Sequence, residues 1–536
     1  MPRMNRRDFM QTLLGGGALA ATGGVGTLYS GLARAAAPAF EDYKALVVVY
    51  LFGGNDAFNM TVPRGSGNSS HSTYLTSRGE VAISDVPRTP GRDLSAGNPY
   101  DAPGLDTDSA KYLNGLYQFD DVGFNAVMPE LAQLYAERRA AVVANVGSLI
   151  QPVTKDDLHN APLPPFLFAH NHQTRAMETG WADNLNANGW AGRIADLWEA
   201  HQLSGVNGGS PLGLNVSFSG NNRLQSGRFT SAAAMSSSGQ LFSGNGFDVD
   251  VFRQLNQEVA SDHPLRRVLH AANRKSADLS DVMSAVFGSG VDPFPHPELA
   301  NSYGQPLFSH PDQRMAQYNE PDYLNLQGRL SGQALRGLEA VAKMISYSRT
   351  DLGLDRQIYY VGIGGFDNHA DLTGKHPLLL RELSLALSDF TTAMDHLDLG
   401  DQVMVATLSD FGRTLGNNGD GTDHAWAGNN ILLGGGMDGG RLLGAWPDLT
   451  LSGESDTSTR NGKGRLIPTT SVDQYLATLC SWFGVEDEDM SDLFPNLSNF
   501  ATGSDIRTAY LELESAEGEP SEPGLPLPPL PLPGLG

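Results

Sequence analysis

Six apolar runs rich in β-branched residues constrain the fold of this sequence more than any other feature. Several of them, such as "KALVVVYLF" at 44–52, are apolar on both faces, which is typical of central parallel strands covered by helices on each side. Helical patterns lie between the runs, and one of them follows Ser471 as a helix cap. The alternation predicts an α/β fold, a three-layer sandwich with a mostly parallel central sheet and long loop insertions. The predicted strands are 44–52, 139–147, 212–220, 356–365, 402–409 and 429–436.

The amino-terminal segment 1–37 has the features of a twin-arginine signal peptide. Arg6 and Arg7 form a basic pair, a glycine-rich apolar centre follows, and small residues surround Ala35. These features predict the twin-arginine export machinery as a partner and a periplasmic or secreted protein. The centre is too rich in glycine for a membrane span, which needs about 20 strongly apolar residues. We therefore expect no stable membrane insertion of the mature chain, and a retained, uncleaved anchor is the alternative.

The rest of the chain divides into a domain and a tail. Residues 38–503 contain the predicted strands and helices and form one α/β domain, in which 66–121 and 217–248 are predicted surface insertions. Residues 504–536 are acidic and then proline-rich, and we expect a disordered tail because proline cannot pair backbone amides. The net charge of -24 argues against a nucleic-acid partner, which needs clustered Lys and Arg. Cys480 lies in an apolar helical pattern and is predicted to be a buried thiol.

Acidic residues and histidines follow three of the predicted strands. The carboxyl ends of parallel strands meet at one crevice, so side chains that follow them are expected to lie together. Carboxylates and imidazoles without cysteine suit zinc, manganese or a similar divalent ion, with one or two ions per chain. The alternative is that each Asp caps a turn and each His is an ordinary loop residue. The candidate ligands are Asp56, Asp367, His369, Asp410, Asp423 and His424.

Several motifs in series resemble one bacterial family, the domain of unknown function 1501. They are the twin-arginine leader, "LFGGNDAFNMTVP", "GGFDNHADL", "LSDFGRT", "GTDHAWAGN" with "LLGGG", and "TTSVDQYLATLCSWFG", and they run in order from about residue 44 to 500. That family is distantly similar to the alkaline phosphatase and sulfatase superfamily, which implies an alkaline phosphatase-like sandwich.

The same resemblance implies roles for individual residues. Asp56 resembles the first-strand metal aspartate of the superfamily, and Asp367 with His369 resembles its later ligand segment. Asp410 resembles an aspartate that usually precedes a histidine ligand, and His424 resembles the last histidine ligand.

The sequence departs from the superfamily pattern at two points. Phe411 follows Asp410 where a histidine is usual, and His170 or His172 is expected to replace that ligand. No nucleophile stands out, and Thr179 ranks slightly ahead of Thr174, with a helix cap or turn hydroxyl as the alternative for each. Arg413 is expected to hold an anionic group in bidentate fashion, or otherwise to form a surface salt bridge with a nearby Asp.

Two functions follow from these features. The first is an exported metal-dependent hydrolase that acts on phosphate or sulfate esters in a small molecule or a polymer. The second is a non-catalytic cell-envelope binding or assembly protein that retains the same fold. The acidic surface repels anionic substrates at long range unless metal ions reverse the field locally.

Overall fold

The structure is a computed structural model of the chain. It describes residues 40–88, 115–200, 206–237, 249–257, 263–288, 290, 292–301, 305–309, 331–458 and 462–514. The predicted signal peptide, 1–37, and the proline-rich part of the predicted tail, 515–536, lie outside the described residues.

The described chain alternates between strands and helices. The strands are β1 Lys44–Leu51, β2 Thr61–Pro63, β3 Pro87–Arg88, β4 Leu116–Gln118, β5 Val122–Asn125, β6 Ala140–Gly147, β7 Asn215–Ser217, β8 Ala233–Ala234, β9 Arg356–Ile363, β10 Val403–Ser409, β11 Gly428–Gly434, β12 Leu442–Leu443 and β13 Thr470–Ser471. The α-helices are α1 Ala57–Met60, α2 His71–Arg78, α3 Pro129–Ala136, α4 His170–Thr179, α5 Trp190–Ala200, α6 Val249–Leu255, α7 Pro264–Gly288, α8 Gln333–Tyr347, α9 Leu372–His396, α10 Val472–Phe483 and α11 Asp487–Leu493. Short single turns of other helix types are Gly67–Ser69, Gly79–Val81, Asp156–His159, Val206–Gly209, Ser348–Leu352, Leu497–Phe500 and Ile506–Ala509.

The central sheet contains all six predicted strands. Its order is β12-β6-β11-β10-β1-β9-β7-β8, with β13 also paired to β6. β1 lies between β9 and β10 and is parallel to both, whereas β11 is antiparallel to β10 and β6. A mixed α/β fold with a mostly parallel central sheet is therefore confirmed.

Helices cover both faces of the sheet. Alternate residues of β1 point to opposite faces, and Val47 packs in a cluster with Leu338 of α8 and Leu383 of α9. Val48 packs on the other face in a second cluster, which includes Leu476 of α10. Because each face of the strand is apolar and completely buried, the sheet lies at the centre of three layers.

A second, smaller sheet combines two strands of the predicted insertion 66–121, β3 and β4, with the strands that flank it, β2 and β5. Its order is β2-β5-β4-β3, and two of its apolar side chains, Val62 and Leu116, belong to a separate cluster with Leu415. α2 begins at Ser70, whose side chain accepts a hydrogen bond from Thr73 N. This region therefore has its own small apolar core within the domain. From it, α2 extends the side chain of Arg78 to Asp56, which follows β1.

The folded domain extends beyond the predicted boundary at residue 503. Ala509 is fully buried, Leu511 N donates to Thr478 Oγ1 at 2.8 Å, and Asp438 N donates to Leu513 O at 2.9 Å. Residues 504–514 therefore belong to the domain rather than to a tail.

Two further features concern the helices. Cys480 of α10 is fully buried, as its apolar surroundings in the sequence predict. None of the helices in the described ranges combines the length and the apolar character needed to cross a lipid bilayer.

Candidate metal centre

The candidate centre lies where three neighbouring strands end. Leu51 is paired with Ile363 and with Ser409, so the chain leaves β1, β9 and β10 at the same edge of the sheet. Gly53 has a φ of +117, and a Cβ there would lie 2.4 Å from the backbone nitrogen of Asp367. Only glycine permits this approach, which brings the loops after β1 and β9 into contact.

Asp367 lies at the centre of a cluster of side chains that also contains His170, His369 and His424. Its Oδ1 lies 3.1 Å from His369 Nε2 and 3.5 Å from His424 Nε2, and its Oδ2 lies 3.5 Å from His170 Nε2. One carboxylate thus faces three imidazoles that come from three different parts of the sequence. Burial opposes ionisation of Asp367, but Arg413 and the histidines outweigh it and hold its pKa below the ordinary value.

Two of these imidazoles are fixed by a hydrogen bond at Nδ1, the ring nitrogen that does not face Asp367. The Nδ1 of His170 is hydrogen-bonded to Asp410 Oδ2 at 2.7 Å, and the Nδ1 of His424 is hydrogen-bonded to Phe168 O at 2.8 Å. A carbonyl oxygen only accepts, so His424 donates from Nδ1, and its Nε2 carries the lone pair when the ring is neutral. Metal-binding histidines are usually fixed in this way, with one ring nitrogen anchored and the other free.

The cluster fits a divalent ion on several grounds. One ligand atom each from His170, Asp367 and His424 lies within 4.8 Å of the others. The two distances of 3.5 Å are close to the spacing of about 3.3 Å between ligands of a four-coordinate zinc ion. His170 Nε2 is buried and makes no hydrogen bond within the described residues. The donor set, imidazole nitrogen with carboxylate oxygen, suits zinc or manganese.

His369 and Asp423 lie at the outer rim. His369 Nε2 is 2.8 Å from His424 Nε2, and its Nδ1 is 3.7 Å from Asp423 Oδ1. Asp423 also pairs with Lys463 at 3.0 Å. A hydrogen bond from Asn418 and the Lys463 ammonium lower the pKa of Asp423 despite its partial burial. His369 is therefore a further candidate ligand, whereas the Asp423 carboxylate approaches the cluster at His369.

Asp410 is hydrogen-bonded to His170 and fixes the orientation of its ring. Its Oδ2 accepts hydrogen bonds from His170 Nδ1 and from Gly53 N at 3.1 Å, so it orients a candidate ligand. Burial raises the pKa of Asp410, and the bonds to His170 and Gly53 offset only part of this effect.

Arg413 forms a salt bridge with a nearby Asp, Asp367, as one sequence interpretation expected, but the arginine is buried rather than at the surface. Its Nη1 donates to Asp367 Oδ1 at 2.6 Å and to Gly53 O at 3.1 Å. Its Nε and Nη2 donate to the hydroxyl and the carbonyl of Thr422 at 3.3 and 2.6 Å. Four of its five N–H groups are used, which leaves no pair of donors for a bidentate anion, and the guanidinium instead fixes Asp367.

Asp56 is adjacent to the cluster but separated from it by its own partners. Its Oδ1 forms an ion pair with Arg78 of α2, and its Oδ2 accepts a hydrogen bond from Thr422 Oγ1 at 3.0 Å. Burial disfavours the charged form of Asp56, but Arg78 outweighs it and lowers the pKa. Both oxygens are therefore satisfied by protein donors, and Asp56 is not placed as a metal ligand.

Comparison with protein families adds to this geometry. A family model described as "Protein of unknown function (DUF1501)" matches residues 43–461. The chain belongs to the DUF1501 family. The prediction from the sequence motifs is thereby confirmed at the level of the family. The comparison with curated proteins found no match.

The match covers the whole cluster of this DUF1501 chain, from His170 to His424, as well as Asp56. Residues 462–514, which include β13 and α10, lie beyond it. Among the remaining candidates, His172 is not brought to the cluster, because its ring packs 4.2 Å from that of Phe166.

The hydroxyl groups of the two candidate nucleophiles of this DUF1501 chain contact different groups. Thr174 is one helical turn after His170, and its hydroxyl is among the groups that favour ionisation of Asp410. Thr179 is fully buried at the carboxyl end of α4, where its hydroxyl is bonded to the backbone of Ala176 and Trp181. The Thr179 hydroxyl therefore bonds the backbone at the end of α4 and does not reach the cluster around Asp367.

The aromatic ring of Phe411 packs against two of the candidate ligands. Its centroid lies 4.7 Å from those of His170 and His424. Phe411 thus provides an apolar contact surface for these two imidazoles.

Several residues that support the centre were missed by sequence reasoning. Arg78 lies in a stretch that was predicted to be an insertion, and no local pattern marked it. Thr422 directly precedes the Asp423 and His424 pair, which is a signal that could have drawn attention to it. Phe168 contributes only a backbone carbonyl, to which sequence patterns are insensitive.

Proposed function

We propose that this DUF1501 protein is a metal-dependent hydrolase of phosphate or sulfate esters that works with a single divalent ion. His170, Asp367 and His424 are the proposed ligands, with His369 beside them. The observation that carries the proposal is that two imidazoles, each anchored through Nδ1, aim Nε2 at one carboxylate. One ion rather than two is supported by the pairing of Asp56 with Arg78, which already neutralises that carboxylate.

The protein side chains supply orientation and charge in this proposal. A divalent ion in the centre would polarise an ester oxygen and lower the pKa of a water molecule. Arg413 holds Asp367 in place through Oδ1, and Asp410 holds His170 through Nδ1. Burial lowers the pKa of His424, with His170 and Arg413 acting in the same direction. The neutral imidazole therefore keeps its lone pair at Nε2 for a ligand.

Water is the proposed nucleophile. In the described part of the chain, no serine or threonine hydroxyl is hydrogen-bonded to any of the three proposed ligands. Thr179 faces the backbone of its own helix, and Thr174 faces Asp410 rather than the cluster. A solvent-derived nucleophile needs no side chain in the line of attack.

An alkaline phosphatase-like fold and export are further parts of the proposal. The order of the motifs and the position of the centre at the carboxyl ends of β1, β9 and β10 support the first. The paired Arg6 and Arg7 before a glycine-rich apolar stretch support the second, with a periplasmic or secreted destination.

A non-catalytic cell-envelope binding protein is the second candidate function. The same lack of a hydroxyl at the ligands favours it, because many enzymes of such sites attack with a side chain. This candidate keeps the ion and the fold but has no turnover. The two functions therefore differ in one measurable property, hydrolysis by the metal-loaded protein.

Metal analysis of the purified mature protein, followed by a screen of phosphate and sulfate esters, tests the proposal. We expect about one zinc or manganese ion per chain and hydrolysis of at least one ester class. His424→Ala should weaken ion binding by more than about 100-fold, beyond the usual loss on removing an outer partner. His159→Ala, which changes an exposed imidazole outside the cluster, should leave it unchanged. Ion without turnover supports the binding protein, and absence of any ion removes both the centre and the hydrolase.

Export is tested separately. Replacing Arg6 and Arg7 together with Lys should leave the precursor in the cytoplasm, because the arginine pair is the feature that the export machinery reads. Arg3→Lys, outside the pair, is the control. Normal export of the double variant would show that the leader is read in another way.

A further inference from the structure

Arg413 pairs with the carboxylate that faces the His424 imidazole, and Arg465 contacts the backbone of His424. The two arginines differ in what their guanidinium groups contact. Arg413 uses Nε, Nη1 and Nη2 for hydrogen bonds within the protein. Arg465 uses only Nε, which donates to His424 O at 3.3 Å. Within the described residues, the two Nη groups of Arg465 have no hydrogen-bond or ion-pair partner. These donors are therefore free for a ligand.

Arg465 is nevertheless held in a defined position. Its guanidinium carbon lies 4.3 Å from the centroid of the Phe168 ring, and its backbone N donates to Asp456 Oδ1 at 3.2 Å. Phe168 also accepts the hydrogen bond from His424 Nδ1. Arg465 thus contacts both the residue that anchors a proposed metal ligand and the backbone of that ligand. A cation stacked on a ring keeps its planar fork oriented before a ligand arrives.

The positive charge of Arg465 is also uncompensated. The carboxylates of the centre have partners of their own, because Asp367 is paired with Arg413 and Asp423 with Lys463. In the part of the chain that the structure describes, no carboxylate is paired with the Arg465 guanidinium. The chain as a whole carries a charge of -24, so an unpaired guanidinium that contacts the backbone of a proposed ligand adds positive charge where the overall charge is negative.

We propose that Arg465 binds the anionic group of the substrate through its two Nη donors. The ligand chemistry is a tetrahedral oxyanion, a phosphate or sulfate group, whose paired oxygens match the guanidinium fork. This assignment rests on the proposed hydrolase function. It moves the role of anion holder from Arg413, which has no pair of free donors, to a residue 52 positions later that follows the strands and loops of the centre.

Calorimetric titration of the zinc-loaded protein with inorganic phosphate and, separately, with inorganic sulfate tests the assignment. Arg465→Met should bind the preferred anion about 10-fold or more weakly, which is typical for loss of a charge-assisted hydrogen bond pair. Arg465→Lys keeps the charge but not the fork and should show an intermediate loss. Lys463→Met removes the same charge two residues away, from a side chain already paired with Asp423, and should change the affinity by less than about 3-fold.

The ion affinity of each variant is measured in the same preparations by chelator competition. Weaker anion binding in Arg465→Met with an unchanged ion affinity supports the assignment. Equal anion binding in wild type and Arg465→Met, or equal losses in the Met variants of Arg465 and Lys463, overturns it, as does a wild type that binds neither anion. If wild type holds no ion, the hydrolase proposal fails, but titration of the metal-free protein still decides whether Arg465 binds the anion.

Discussion

Asp56 and Asp367 each follow a central strand, yet their surroundings are opposite. Asp56 is 1% exposed, and its two oxygens are bonded to Arg78 and Thr422. The side chain of Asp367 is 47% exposed and faces imidazole nitrogens as well as Arg413. One carboxylate is sealed into a protein ion pair, and the other is open to solvent at the mouth of the crevice.

The difference lies in which donors reach each carboxylate. Arg78 extends from α2, in the smaller sheet region, and pairs with Asp56. The same guanidinium donates a hydrogen bond to the carbonyl of Thr414 at 2.9 Å. A buried carboxylate that a guanidinium already neutralises gains little from an ion, since its desolvation has been offset within the protein. Asp367 has no such complete set of donors. An acidic residue after a strand is therefore a ligand candidate only when the rest of the fold leaves it open.

The sealed pair can be broken from the arginine side. Arg78→Met leaves Asp56 buried without a counter-charge, so the free energy of unfolding should fall by about 3–5 kcal/mol. Urea unfolding of the full chain measures it. Arg138→Met removes an ion pair whose arginine is 45% exposed and should change stability by about 0–1 kcal/mol. Similar losses in the two variants would contradict the distinction between a sealed and an open pair.

Another buried carboxylate, Asp473, lacks the direct ion pair that Asp56 has, which sharpens the comparison. Asp473 is fully buried in the first turn of α10 and has no ion-pair partner among the described residues. Burial raises its pKa to about 8, and Asp183 acts in the same direction. The acid therefore stays protonated in the folded protein at neutral pH, unlike Asp56, whose partner keeps it charged.

The raised pKa fixes the sign of a pH effect on stability. Between pH 4 and 8 the unfolded chain loses the proton of Asp473 while the folded chain keeps it, so this residue lowers stability as the pH rises. Asp473→Asn should raise the free energy of unfolding on the order of 3 kcal/mol at pH 7, and much less near pH 4. Urea unfolding at both pH values measures the difference. A variant that gains equally at both would show that Asp473 ionises normally.

Much of the fold was predictable because its signal is local. The run at 44–52 is apolar on both faces, and β1 is buried on both faces within one residue of that prediction. The run at 212–220 was predicted too long, because β7 covers only Asn215–Ser217. There the chain turns away at Ser219, whose hydroxyl accepts a hydrogen bond from Gly362 N. Apolar pattern gives the centre of a strand, whereas its ends depend on contacts with other strands.

The centre was predictable in its residue types but not in their roles. Asp367, His369 and His424 are brought together as the strand-end argument predicts. Whether a carboxylate binds an ion, holds a ligand or pairs with arginine depends on partners far away in the sequence. Asp410 contacts His170 from 240 residues away, and Asp56 contacts Thr422 across 366 residues. No pattern within a short stretch carries that information.

The smallest expected effect concerns the support of the open cluster. Asp410→Asn keeps the shape of the side chain but removes the charge behind His170 Nδ1, so zinc affinity should fall by about 10–100-fold. Asp423→Asn removes a carboxylate whose nearest approach to the cluster is 3.7 Å from His369, and the loss should stay below about 3-fold. Competition with a zinc-binding chelator measures both.

Unchanged affinity in Asp410→Asn would remove His170 from the ligand set, whereas a larger loss in Asp423→Asn would shift the centre outward toward His369. Because the two carboxylates carry the same charge and differ in the imidazole they touch, the ratio of their effects locates the ion between the two histidines.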